Sequence, residues 1–111
     1  ADLARQMGLP VLSVARASLG SINHTLLTLE CLRSRGVATL GLIFNHPSPP
    51  PAGTDESDTV PTILRLSGLP SFGELPYCAG LPAAWTQHRN RLVAGLSVHD
   101  LLDALGLRGL A

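Results

Sequence analysis

Lysine is absent from this 111-residue sequence, and all of its basic residues are arginines. Arginine does not reproduce the compact point charge of a phosphate-loop lysine, so the chain cannot supply that group. Nor is there any G-x-x-x-x-G-K-[ST] run. Cysteine is sparse. Cys31 and Cys78 lie far apart, with no CxxC and no histidine at zinc-ligand spacing. No metal site is expected, and the default is a pair of reduced, partly buried thiols in a cytoplasmic protein. No apolar run approaches the roughly 18 residues of a membrane span. The opening ADLARQMG lacks the basic and apolar regions of a signal peptide, so a soluble protein is expected. Eight arginines balance eight acidic residues. That balance gives no electrostatic reason to expect nucleic acid or an anionic membrane as a partner.

What is present is apolar. With 45% hydrophobic and 14% charged residues, the chain has the means to bury a core as one domain at most. DLARQM at residues 2–7 has helical character and stops at Gly8, with Pro10 behind it. PVLSVA, at 10–15, reads as a short strand buried on both faces. From Ser21 or Ile22 to Arg35, Ile22, Leu26, Leu29 and Leu32 recur at helical spacing, Leu27 widens the stripe, and Gly36 ends it. TLGLIF, at 39–44, is a second strand. Strand, helix and strand with tight joints predict a βαβ unit with parallel strands.

Asn45 to Glu56 contains four prolines and Gly53, which exclude regular structure there. Asp58 or Thr59 should cap a helix running to Ser67, ended by Gly68. FGELPY, at 72–77, suggests a last strand. A helix containing Trp85 follows Pro82, with the indole packing it against the sheet. Ser97 and Asp100 suggest a capping box for a helix from His99 to Leu105. The expected class is α/β, with too few strands for a complete sheet.

In open parallel sheets ligands bind beyond the C-terminal strand ends. Two loops qualify. In RASLGSIN, at 16–23, Gly20 lets backbone approach a ligand. The N–H groups of residues 21–23 should face outward with the positive end of the helix dipole, which suits a carboxylate or phosphate. Any strand–loop–helix joint shares these features. The second loop begins at Asn45, whose amide offers a donor and an acceptor to a purine edge. An Asx turn closing the strand is the commoner use of such a residue.

GLPVLSVARASLGSINHTLLTLECLRSRGVATLGLIFNHPSPP, followed by LSGLPSFGELPY, resembles the C-terminal half of the dethiobiotin synthetases. LGSINHTLLT is its most specific part, and coverage runs from about Ala1 to Cys78. The resemblance implies an incomplete P-loop-type (Rossmann-like) three-layer domain with a parallel sheet, its N-terminal half missing. Beyond it, the helices expected around Trp85 and from His99 make 79–111 a helical C-terminal segment, for which the resemblance implies no function. By resemblance, Asn45 with His46 and Pro76, Tyr77 and Cys78 would bind the adenine of ATP, the last three largely through backbone. Leu19, Gly20, Ser21, Ile22 and Asn23 would hold the diaminopelargonate carboxylate across a homodimer interface. The family often carries a tyrosine after the Pro-rich loop; Ser57 to Val60 has none.

The family's activity is an ATP-dependent ring closure. CO2 carboxylates an amine, ATP phosphorylates the carbamate, and phosphate is expelled as dethiobiotin forms. Its phosphate loop and Mg2+ carboxylates would precede Ala1, so the expected partners are small molecules and either a homodimer mate or a complementing N-terminal half. The alternative is a degenerate P-loop-type module, non-catalytic, that binds or dimerises. His24 follows the anion loop and could act on substrate, although a first-turn histidine is more often a capping or surface group, and His46, His88 and His99 form no triad spacing. Glu30 and Glu74 are unpaired in sequence, which gives no support for a two-carboxylate hydrolase.

Overall fold

The computed structural model describes residues 2–18, 20–49 and 57–107. Helix α1 (Asp2–Met7) leads into strand β1 (Val11–Arg16), helix α2 (Ser21–Ser34), strand β2 (Thr39–Asn45) and helix α3 (Thr59–Ser67). Strand β3 (Ser71–Leu75) and helices α4 (Trp85–Ala94) and α5 (Val98–Ala104) complete the order. The strands form one parallel sheet in the order β1-β2-β3. This is the expected α/β class, a parallel sheet flanked by helices and consistent with a P-loop-type domain.

The core lies where the sheet meets α2 and α3. Ala15 of β1 stands beside Phe44 of β2 in the parallel register. These residues cluster with Ala17, Leu42 and Ile63, and Ile22, Leu29, Val60 and Leu64 pack against them. Phe44, Leu42 and Ile63 are the largest fully buried side chains. Each contributes about 1.5–3 kcal/mol by leaving water. Gly41 is required by a close approach, because a Cβ there would overlap the Phe72 ring and the Pro70 carbonyl.

Several expectations are corrected. Strand β1 is not buried on both faces: Val14 is 64% exposed, and Ala15 alone of its residues is buried. Val14 shares a face with Ile43, which is buried over β2, so cover on that face stops short of β1. Leu27 is 70% exposed and does not widen the buried stripe. With Leu26, Leu66 and Leu69 it lines a hollow of about 910 Å³ between α2 and α3. Trp85 is 52% exposed and α4 buries no residue, so the indole does not pin that helix to the sheet. Cys31 is exposed while Cys78 is buried.

Neither Asp58 nor Ser97 makes a side-chain cap. The Ser97 N–H instead donates to the Phe72 carbonyl at 2.8 Å. Strand β3 ends at Leu75 rather than Tyr77, because Pro76 has no N–H to continue a ladder. No helix among the described residues is long and apolar enough to cross a membrane.

The two edges of the sheet differ. Gly73 of β3 forms an antiparallel bridge with Leu96, and the Glu74 N–H donates to the Gly95 carbonyl at 3.0 Å. Gly73 has φ of 127°, and a Cβ on either Gly73 or Gly95 would collide with the other segment's backbone. The segment between α4 and α5 therefore lies directly on the free edge of β3. Among the described residues, β1 pairs with β2 alone.

Candidate functional site

Parallel pairing brings the three strand ends into one row. Arg16 is the register partner of Asn45, and Asn45 is the partner of Leu75. Main-chain bonds continue the row past the strands. The Ala17 N–H donates to the Asn45 carbonyl, and the His46 N–H to the Leu75 carbonyl, both at 3.0 Å. Asn45 is half-buried at the centre of this rim. Among the described residues its side-chain amide makes no hydrogen bond, and no Asx turn closes the strand there.

Beside Asn45 the His46 imidazole is engaged. Its Nε2 lies 3.1 Å from Oε2 of Glu74. Strand alternation explains the meeting: His46 follows Phe44 by two residues, and Phe44 is the register partner of Glu74. Pro76 is half-buried, Tyr77 is exposed and Cys78 is buried.

The second cluster lies at the start of α2. Gly20 adopts φ of 88°, the left-handed conformation that glycine takes without a Cβ penalty. The Ser21 hydroxyl lies 2.7 Å from the carbonyls of both Arg16 and Ser18, and the Ser21 N–H donates to the Ser18 carbonyl at 3.1 Å. Ser21 thus staples the loop. Its N–H does not face outward as expected, whereas those of Ile22 and Asn23 have no backbone acceptor among the described residues. The Ile22 side chain packs against the core, and Asn23 is exposed. Leu19 lies outside the described residues.

This helix start borders a cleft of about 690 Å³ between β1 and α2, lined by Ser13, Arg16, Ser18, Gly20, Ser21, His24, Thr25 and Thr28, with Val14, Ala15 and Leu29. Two nitrogen bases and several hydroxyls therefore share a hollow with the positive end of a helix, a setting suited to an anion. The Arg33 guanidinium, hydrogen-bonded to Glu30, holds that carboxyl below its ordinary value. Arg35, bonded to Asp2, is raised.

The family model described as an AAA domain matches residues 1–84. The chain belongs to that family. Relatives of this AAA-domain chain are named ATP-dependent dethiobiotin synthetases. One from an Anaeromyxobacter species is 57% identical over 81 residues, covering 69% of this chain and 34% of the relative. That from Thermodesulfovibrio yellowstonii is 41% identical over 80 residues, 72% of this chain and 33% of the relative. A third, from Nitrobacter hamburgensis, is 34% identical over 101 residues, 91% of this chain and 43% of the relative. The chain thus spans about a third of the length of the first two relatives, and the alignment with the third extends beyond Cys78.

Sequence reasoning missed Arg16 and Glu74 as members of these clusters. Arg16 closes β1 and could have been found as the last strand residue before the glycine loop. Glu74 needs the register between β2 and β3, which no local pattern carries.

Proposed function

We propose that this chain is the adenine- and substrate-carboxylate-binding part of an ATP-dependent ligase that closes the ureido ring of dethiobiotin in biotin synthesis. The observation that carries the reading is the shared rim: an Asn45 amide with no hydrogen-bond partner among the described residues, at the centre of the strand ends, next to a helix N-terminus that opens on a polar cleft. The names of its relatives support the same chemistry.

In this reading Asn45 exchanges a donor and an acceptor with adenine. His46 and the segment Pro76, Tyr77 and Cys78 border the base, largely through backbone. The loop from Leu19 to Asn23 receives the diaminopelargonate carboxylate at the N–H groups of Ile22 and Asn23. Arg16 adds positive charge to that side and His24 an imidazole that can hydrogen-bond, and CO2 and ATP are the co-substrates. The whole enzyme works in the cytoplasm as a homodimer. Residues 1–111 form one unit of it, in which 79–111 is a helical C-terminal segment.

Magnesium is proposed as a cofactor of the whole enzyme, with its carboxylate ligands on the part that carries the phosphate loop. Among the described residues no three His, Cys, Asp or Glu side chains converge, and no step is assigned to them through a metal. Phosphoryl transfer in this class uses a phosphate-cradling loop and its lysine, and this sequence contains neither.

The test is titration of ATP into the wild-type chain and Asn45→Ala, followed by ligase assays with and without a polypeptide carrying a phosphate loop. Asn45→Ala should weaken ATP by about 1–3 kcal/mol, the cost of an unpaired partner, and dethiobiotin should form only in the mixture. Unchanged ATP affinity removes Asn45 from the site. Dethiobiotin formed by the chain alone overturns the division of labour, and nucleotide binding with no ligase activity in any mixture favours a non-catalytic module.

A further inference from the structure

We infer that Glu74 and the His46 side chain are positioning residues, a clasp between β2 and β3 that fixes the base-binding rim without touching the base. The inference rests on the adenine site proposed above. Two links cross from His46 to β3 at one place: Nε2 to Oε2 of Glu74 at 3.1 Å, and the backbone N–H to the Leu75 carbonyl at 3.0 Å. Asn45 immediately precedes this crossing, and Pro76 immediately follows it. The clasp therefore sits between the two sets of residues assigned to the base.

Glu74 is itself held from behind. Its N–H donates to the Gly95 carbonyl, and no Cβ can enter between the two backbones. A half-exposed side-chain link of this kind contributes little to global stability. It can still set the spacing of two strand ends, because β2 and β3 shift register between Leu42 and Phe44 and the side-chain link lies beyond that shift, at the last pairs of the ladder. With its ring nitrogen on Glu74, His46 borders the ligand through its main chain, and its ring orients the strand end that carries Asn45.

The test measures adenosine and guanosine binding to the full chain by calorimetry, with far-UV circular dichroism to verify each fold. Glu74→Ala and His46→Leu should each weaken adenosine about 3–10-fold and reduce its preference over guanosine. The double variant should lose no more than either single change. His46→Gln, which keeps a donor near the Nε2 position, should recover most of the affinity. Unchanged adenosine binding in both single variants, or fully additive losses in the double variant, overturns the clasp. Failure of the wild-type chain to bind adenosine, or binding indifferent to Asn45→Ala, overturns the base site itself, and the positioning role with it.

Discussion

Strands β1 and β3 are both edges of one parallel sheet, yet they meet different surroundings. β3 is covered by the same chain: Leu96 bridges Gly73, and the Gly95 and Phe72 carbonyls accept from Glu74 and Ser97. β1 has no second strand partner among the described residues, and Val14 stands 64% exposed on a face whose neighbour Ile43 is buried. An uncovered apolar edge is a template for association. The covered edge depends on two glycines and backbone bonds, the open one on whatever pairs with it, so the two should respond to opposite kinds of mutation.

The largest effect is expected at the covered edge. Gly73→Val places a side chain where the Gly95 backbone lies, on a residue with φ of 127°. Overpacking and backbone strain together should cost about 3–5 kcal/mol, read as a fall in the urea midpoint. A change under about 1 kcal/mol would mean that the bridge is dispensable. At the open side, Ser21→Ala removes the hydroxyl that staples the loop after β1 and should cost about 1 kcal/mol. Val14→Lys should alter stability by less than about 0.5 kcal/mol but lower self-association, as sedimentation velocity would show. If association is unchanged, the uncovered side of β1 is not what drives it.

The smallest effect belongs to α2. Glu30 titrates below its ordinary value because of Arg33, so its contribution is present above the usual carboxylate range and fades as pH falls through the lowered value. Glu30→Gln should slightly narrow the gap between thermal midpoints at pH 7 and pH 3. Because both side chains of the pair are exposed, that narrowing should vanish in high salt.

Much of this architecture is legible in the sequence, for local reasons. Gly8, Gly36 and Gly68 end helices where the chain says they should, and the apolar runs at 10–15 and 39–44 become parallel strands joined by α2. The errors share a different cause. Val14, Leu27 and Trp85 are apolar residues whose burial depends on what lies opposite them, and one chain's pattern cannot state that. The capping box at Ser97 failed because the Ser97 backbone pairs with Phe72, a long-range contact. In the candidate site, the glycine loop and Asn45 were visible as strand-end residues. The bond between His46 and Glu74 joins positions far apart in sequence and follows only from register.

The bridge at Gly95 also bears on the segment between β3 and α4. Residues 76–84 leave Leu75 and enter a helix whose far end returns to Glu74, so the excursion is a loop tied near its own origin. Its conformational freedom is surrendered when the domain folds rather than when something settles against Tyr77. A ligand meeting a preordered surface gives up less entropy on arrival.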